Sequence, residues 1–493
     1  MAAPLDVLVI GGGIVGAGVA RDAAMRGLKT GLVEQYDFAF GTSSRSSRLL
    51  HGGIRYLAQG RIGLVREASH EKHVLRRIAP HLAAPLAFLF PTYKGGPWPR
   101  WKLSLGVGIY DWLCGEGNLG RSSTLDRAET LAHQKDCALS DAGLTGAVRY
   151  FDGLTNDSRL VLDTLRSAAA NGAMLLNYAR LESAERMSTN RDGWKCVVKS
   201  SAFGHESISE IQARCVVSAT GPWADKLPYN KMGLRLTKGV HLVVDRARLP
   251  VVDAVVMTEG SRILFAIPWG ERVILGTTDT DYDAKSEDAL AVVRASAEDI
   301  RYVLDVTNRH FRRAELTTRD VMSTWAGLRP LIANPNGTPS DISRAHEIRM
   351  SEPGWLEIAG GKLTTYRLMA EQAVNQIVRH LDANTRVSRT ALEPLLDPED
   401  VHGISGIVPP PVTRQIVEHF CRNEWAVHLD DVMVRRTSWT HYCKNSADVA
   451  AQVANWMAEI LGWDAGRRNV ELARYNASFN IAPKARSDNA IGL

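Results

Sequence analysis

The chain has 493 residues, 45% hydrophobic and 23% charged, a globular mix too long for one hydrophobic core, so about three domains are expected. A formal charge of +5 is too weak to argue for nucleic acid, and neither a clustered basic stripe nor a nucleic-acid reading motif is evident. The balance suits an anionic small molecule or an anionic membrane surface.

The start, MAAPLDVLVIGGG, lacks the charged opening of a secretory leader. Residues 5–10 form a continuous apolar run, as in a strand covered on both faces. Gly11, Gly13 and Gly16 then spell G-x-G-x-x-G, a helix is expected to about Arg26 with Gly27 as its cap, and KTGLVE reads as a second strand ending at Glu34. Gly11 permits the tight turn, Gly13 lets the backbone approach a pyrophosphate at the helix N-terminus, and Gly16 permits close helix–strand packing; Glu34 can hold ribose hydroxyls. Strand, helix, second strand and acid together predict dinucleotide binding without separating FAD from NAD.

Residues 46–57, SSRLLHGGIRYL, place His51, Arg55 and Tyr56 around the side-chain gap at Gly52 and Gly53. Residues 93–113 interleave Lys94, Arg100 and Lys102 with Trp98, Trp101 and Trp112, a composition suited to an anionic bilayer interface and equally to a helix packed on the protein's own core. Residues 156–172 read as a capped amphipathic helix ending at Gly172, and the stretch around 234–278 alternates as strands do. His241 lies in one such strand, Arg329 follows WAGL, and Lys362 follows two glycines at a helix start. Asp279, in GTTD, reads as a turn cap rather than a group orienting a base. GIVPPP reads as a linker. Cys114, Cys137, Cys196, Cys215, Cys421 and Cys443 form no C-x-x-C pair and no zinc spacing, which favours free thiols in a reducing compartment and no metal site. No run of about 18 apolar residues predicts a spanning helix.

Taken with GTSSRSSRLLHGGIRYL (41–57), VVSATGPWAD (216–225) and IAGGKLTTYRLMAEQA (358–373), the N-terminal motif resembles the FAD-dependent glycerol-3-phosphate dehydrogenases, within the glycine oxidase/D-amino-acid oxidase class of flavoproteins. KGVHLVV (238–244), GTTDTDY (276–282) and WAGLRPL (325–331) match the same family in its order, over roughly residues 5–375; beyond 385 the similarity is confined to pieces such as DDVMVRRTSW (430–439), and that region looks shorter than is usual. The resemblance implies an α/β fold. A discontinuous Rossmann-like FAD domain would take residues 1–80, 150–230 and 345–384, an antiparallel-sheet substrate or cap domain 81–149 and 231–344, a helical C-terminal domain 385–482, and a flexible tail 483–493.

The resemblance also implies site roles. Non-covalent FAD would be held by Gly11, Gly13, Ile14, Gly16, Glu34, Thr42, Ser43, Ser47, Leu181, Ala219, Gly221, Trp223, Gly361, Lys362, Leu363 and Thr364; no Cys or His sits in a recognised flavin-attachment motif. Arg55 and Tyr56 would hold the substrate phosphate, a planar guanidinium matching its oxygens. His51 and His241 are both base candidates, Arg329 and Lys362 would stabilise developing negative charge, and all four would contact substrate. The implied reaction is oxidation of sn-glycerol 3-phosphate to dihydroxyacetone phosphate with electrons passed to membrane quinone. The alternatives are an oxidase using oxygen, a flavoenzyme acting on another anionic hydroxy acid or amine, and a flavin-binding protein without turnover. Peripheral attachment to the cytoplasmic face of a membrane through residues 93–113 and a homodimer complete the expectation.

Overall fold

In the computed structural model the apolar run Leu5–Ile10 is the middle of a parallel sheet, hydrogen-bonded to Thr30–Val33 on one side and to Ser207–Ser218 on the other. Ser207–Ser218 pairs in parallel with Trp355–Gly360, so the three segments expected to share one sheet are direct neighbours. Val7, Leu8 and Val9 are wholly buried, as an apolar strand covered on both faces must be. Met174–Leu176 extends one edge in parallel and His346–Glu352 extends the other antiparallel. The structure describes residues 4–52, 60–115, 118–137, 139–187, 193–201, 206–260, 262–284, 286–333 and 346–479.

Helices Ile14–Met25, Asp157–Ala170 and Tyr366–Leu381 pack together beside this sheet. A Cβ on Gly18 would lie 3.0 Å from both Ala370 Cβ and Tyr366 Cδ2, so the first and third of these helices meet closely only because that side chain is missing. The helix Asp157–Ala170 starts as its sequence predicts, with the Asn156 side chain accepting from the Arg159 N–H.

The second sheet has ten strands and is antiparallel except where Ala254–Glu259 pairs in parallel with Ala84–Tyr93. Leu234–Asp245 lies between Arg272–Gly276 and Val321–Ile332. Its inward side chains Val240, Leu242 and Val244 join one apolar core with Val303, Leu304 and Val306 of the helix Ala297–His310.

Two expected domain boundaries move. Leu144–Leu154 pairs with Ala84–Tyr93 along its length, and Leu49–Leu50 pairs with its end, so residues 49–50 and 150–154 belong to the second sheet rather than to the FAD-domain segments. A strand cannot change sheets mid-ladder without losing its hydrogen bonds. The chain divides into compact units at Met1–Val408 and Pro409–Leu493, so the helical C-terminal unit begins at 409 and not at 385. Residues 386–395 are fastened to the first unit by buried groups. The Arg21 guanidinium donates to the carbonyls of Thr390 (3.2 Å), Glu393 (2.8 Å) and Pro394 (3.1 Å), and the Leu395 N–H donates to Ile78 O (2.8 Å).

The second unit is built from helices Arg414–Asn423, Trp439–Tyr442, Ser446–Leu461 and Ala465–Phe479 around a π-helical turn, Asp431–Arg436. The charged residues of DDVMVRRTSW close that turn: Asp431 accepts from the N–H groups of Val427 and His428 and from Arg435.

Replacing Arg21 by Met keeps most of its volume and leaves three carbonyls without their charged donor. The expected cost is about 2–4 kcal/mol, seen as a lower thermal midpoint together with faster amide exchange in residues 386–395. Unchanged exchange in that segment would show that Arg21 does not hold it.

Candidate active site

A cavity of about 940 Å³ in the first unit collects nearly every site residue expected from the sequence. At one end it is walled by Gly11, Gly13, Ile14, Glu34, Thr42, Ser43, Leu181, Ala219, Gly221 and Trp223. Gly11 has φ +110°, and a Cβ there would lie 2.6 Å from Ala219 O. Gly16 is behind the wall, where a Cβ would lie 1.9 Å from Gly11 O; it fixes the cradle by packing and does not face the cavity. The Glu34 carboxylate accepts from the N–H groups of Gly12 (2.7 Å) and Tyr36 (2.9 Å), which sets the loop shape. Ser43 Oγ accepts from the Ile14 N–H at 3.1 Å, and Thr42 Oγ1 donates to Leu328 O at 2.6 Å, tying the cradle to the second sheet.

The helix Ile14–Met25 opens at this wall on Gly13, which offers no capping side chain, and has no acidic residue in its first turn, so apart from the N–H taken by Ser43 its positive end favours an anion. Trp223 Nε1 is buried without an acceptor among the described residues. A glycine-lined helix start, an acid just after the second strand and an orphaned indole N–H in one wall fit the pyrophosphate and ribose of FAD.

The second sheet builds the other end. Thr237, Gly239 and His241 alternate along Leu234–Asp245, so all three face the cavity. The register with Val321–Ile332 sets Thr237 opposite Arg329, Gly239 opposite Gly327 and His241 opposite Trp325. A Cβ on Gly239 would lie 2.4 Å from Arg329 Nη2, and one on Gly276 would lie 2.8 Å from His241 Cδ2. These strand glycines are where the two functional side chains cross their own sheet.

Arg329 donates to Thr277 Oγ1 (3.1 Å), Thr278 O (3.3 Å) and the Asp279 carboxylate (3.2 Å). Asp279, whose sequence reads as a turn cap, therefore pairs with Arg329 of the cavity lining. His241 is buried, with Trp325 stacked on it at 5.3 Å and Ser47 Oγ 2.8 Å from Nε2. Nδ1 is buried without a partner among the described residues. Burial, reinforced by the Arg329 and Arg48 guanidinium groups, pushes the imidazole down to about 3, so the ring is neutral at pH 7. Ser47, expected to serve the cofactor, holds this imidazole. The Arg48 guanidinium lies 5.4 Å from the Trp325 ring on which His241 stacks.

Gly361, Lys362, Leu363 and Thr364 line the cavity where Trp355–Gly360 turns into the short helix Leu363–Thr365. The Thr365 N–H closes this turn on Lys362 O at 3.1 Å, and the Leu363 and Thr364 N–H groups precede it at the helix start. His51 lines the same region; its N–H donates to Thr364 Oγ1 at 3.1 Å. Arg55 and Tyr56 fall within 53–59, outside the described residues.

The cavity also has an aromatic wall absent from the sequence expectations. Phe88 and Tyr150 stack at 5.2 Å, with Phe265 edge-on to Phe88 at 5.8 Å and Asp152 beside them in the lining. Its signal was the alternation in AFLFPTY and AVRYFDGL, which puts Phe88 and Phe90 on one face of a strand, and Tyr150 and Asp152 on one face of its partner. Which face would meet the cavity depends on the long-range register.

The family model for FAD dependent oxidoreductases matches residues 6–394, and that for the C-terminal domain of alpha-glycerophosphate oxidase matches 405–468. The aerobic glycerol-3-phosphate dehydrogenase of Staphylococcus aureus is 41% identical over 384 residues, covering 76% of this chain and 67% of that protein. Among solved structures, glycerol-3-phosphate dehydrogenase from Bacillus halodurans complexed with FAD has a TM-score of 0.75 at 29% identity, over 97% of this chain and 95% of that one. L-alpha-glycerophosphate oxidase from Mycoplasma pneumoniae with FAD bound has a TM-score of 0.61 at 17% identity, over 78% of this chain and 97% of that one, and shares the fold.

The state of His241 predicts an acid sensitivity. Its folded-state proton affinity is depressed from 6.5 to about 3, so the native state binds fewer protons than the unfolded chain between those values. Its contribution to stability is complete above pH 6.5 and is lost as pH falls toward 3, by up to about 1.4 kcal/mol per unit. Urea midpoints at pH 7, 6 and 5 should fall more steeply in the parent than in His241→Gln. Parallel pH dependences would mean that the buried ring titrates normally.

Proposed function

Because the chain belongs to the FAD-dependent oxidoreductase family, in its glycerol-3-phosphate dehydrogenase/oxidase branch, we propose that it oxidises sn-glycerol 3-phosphate to dihydroxyacetone phosphate. The observation that carries this reading is one cavity joining a dinucleotide cradle to a wall bearing His51, His241, Arg329 and Lys362. FAD, when bound non-covalently, supplies the two-electron acceptor for the C2 hydride.

The chain's own residues then divide the remaining work. Arg55 and Tyr56 hold the phosphate and thereby align C2. His51 takes the C2 hydroxyl proton at a ring nitrogen. Two imidazoles compete for that task, and an effective general base has a proton affinity near the working pH. His241 is a poor match: its conjugate acid is disfavoured by burial and by two guanidinium groups, and Ser47 and Trp325 pin the ring. It serves instead as a neutral, rigid wall of the pocket. Arg329 and Lys362 favour negative charge as it develops on the substrate oxygen, and Asp279 sets the fork of Arg329 through their ion pair.

Membrane quinone is the acceptor we favour, with peripheral contact through the helix Arg100–Cys114. Support comes from one stripe of that helix, where Trp101 (71% exposed), Leu105 (60%), Ile109 (40%) and Trp112 (79%) stand at i, i+4, i+8 and i+11 while Leu103, Val107 and Tyr110 are buried on the opposite side. The stripe refines the expectation for 93–113: Arg100 is spent on the carbonyls of Leu125 and Thr145, and Trp98 packs near Phe90. No described helix is long and apolar enough to cross a membrane. Oxygen is the second reading, favoured by the match of residues 405–468 to the C-terminal domain of alpha-glycerophosphate oxidase; peroxide yield against quinone reduction separates the two.

Anaerobic glycerol 3-phosphate should bleach the bound flavin, and glycerol should not. In rapid mixing, His51→Asn should slow bleaching at saturating substrate by about 10²–10⁴-fold and abolish the acidic limb of the pH profile, which should survive in His241→Asn. A limb that vanishes with His241 and persists without His51 would reverse the two assignments. Arg55→Ala should raise the substrate requirement strongly, and Arg55→Lys should restore part of it, since an ammonium lacks the planar fork.

Serine at Trp101, Leu105, Ile109 and Trp112 together should abolish most binding to anionic liposomes and leave turnover with a soluble dye intact. Because buried tryptophan is not screened, high salt should release the parent only partly. Undiminished liposome binding by the quadruple variant would place the contact elsewhere.

A further inference from the structure

Under the His51–Gly52 peptide lies a polar cluster with no part in the chemistry described so far. Lys72, Tyr110 and Asp152 are all buried, at 1%, 0% and 3% exposure. They come from the helix Ile62–Ile78, the helix Arg100–Cys114 and the strand Leu144–Leu154. One carboxylate oxygen, Asp152 Oδ1, accepts from Lys72 Nζ at 2.7 Å, from the Tyr110 hydroxyl at 2.6 Å and from the Gly52 N–H at 3.4 Å. The Tyr110 oxygen in turn accepts from the Gly52 N–H and from Lys72 Nζ, each at 3.2 Å.

We infer that Tyr110 and Lys72, acting through Asp152, are positioning residues that fix the His51–Gly52 peptide in the wall of the active-site cavity. The inference rests on the reading of His51 as the proton acceptor for its kinetic consequence, though not for its structural one.

Three observations carry it. First, the peptide unit is gripped at both polar ends. Its carbonyl, on His51, accepts from the Thr364 hydroxyl at 3.4 Å, while its N–H, on Gly52, is shared by Tyr110 and Asp152. Both Thr364 and Asp152 line the same cavity as His51, so the clamp is part of the site wall. Second, the approach is closer than any side chain at position 52 allows. A Cβ on Gly52 would lie 2.4 Å from the Tyr110 oxygen and 3.0 Å from Ser69 Oγ. Third, stability is a weak reason for such a cluster. A buried ion pair gains little over apolar residues of the same volume, whereas polar groups that satisfy one another select a single geometry. The main-chain group this geometry selects is the amide that follows His51.

Tyr110→Phe isolates the claim, because it removes the hydroxyl and keeps the ring in its edge-on packing against Tyr150. Flavin content and the visible spectrum should match the parent. The limiting rate of flavin reduction at saturating glycerol 3-phosphate should fall about tenfold, with a smaller change in the half-saturating concentration, since alignment and not phosphate affinity is disturbed. Tyr110→Phe/Asp152→Asn should be little worse than Asp152→Asn alone, as members of one network are not additive. Hydrogen exchange at the Gly52 amide should be at least tenfold faster in Tyr110→Phe, a readout that needs no substrate. A lowered thermal midpoint with unchanged reduction rate and unchanged Gly52 exchange would overturn the inference, as would additive losses in the double variant. If glycerol 3-phosphate fails to bleach even the parent, the substrate reading falls, and Gly52 exchange alone decides the positioning claim.

Discussion

The pairing of Leu234–Asp245 with Val321–Ile332 is the constraint on which the site depends. It puts His241 against Trp325 and brings Arg329 across Gly239, so an imidazole and a guanidinium are fixed on one cavity wall by backbone register rather than by flexible loops. A shift of one residue in Val321–Ile332 would turn Arg329 to the opposite face of the sheet from His241. Gly239 in this pairing, and Gly276 opposite His241 on the strand Arg272–Gly276, leave the room these side chains need, because any Cβ there would occupy the space of the side chain it faces. The first sheet supplies the complementary half: a helix start whose N–H groups favour an anion, set beside Glu34. Thr42, bonded to Leu328 O, joins the two halves across the cavity.

Local sequence carried the cradle well. An apolar run, spaced glycines, a capped helix and a terminal acid are all short-range signals, and the strand Leu5–Ile10, the helix Ile14–Met25 and the glycine contacts follow them. The family resemblance added distant members, and His51, His241, Arg329 and Lys362 do share one cavity. What stayed hidden was partnership across the chain. Asp279 looked like a turn residue because its Arg329 partner is fifty positions away; Ser47 and His241 are 194 apart. Asp152 lay in an apolar strand with nothing nearby to explain it, since its partners Lys72 and Tyr110 arrive from two separate helices.

Composition carries no orientation. Residues 93–113 are rich in tryptophan and basic residues, but orientation decides what each one meets. Arg100 turns inward to carbonyls and Trp98 packs near Phe90, while Leu105 and Ile109, unremarkable by composition, complete the exposed stripe with Trp101 and Trp112. The C-terminal boundary shows the same limit. Residues 386–395 carry little apolar signal, yet Arg21 captures three of their carbonyls, so the first unit extends to 408. In both cases the deciding interaction belongs to a residue outside the stretch itself.

We propose that this cavity holds a flavin beside a pocket for a three-carbon phosphate ester. Its most direct test is titration of the FAD-loaded protein with dihydroxyacetone phosphate while recording the flavin visible bands. A saturable perturbation is expected with the phosphate ester, and none with unphosphorylated dihydroxyacetone, because the phosphate supplies the anchoring charge-assisted bonds. Bands that do not move with the phosphate ester, or that move equally with the unphosphorylated ketone, would contradict it.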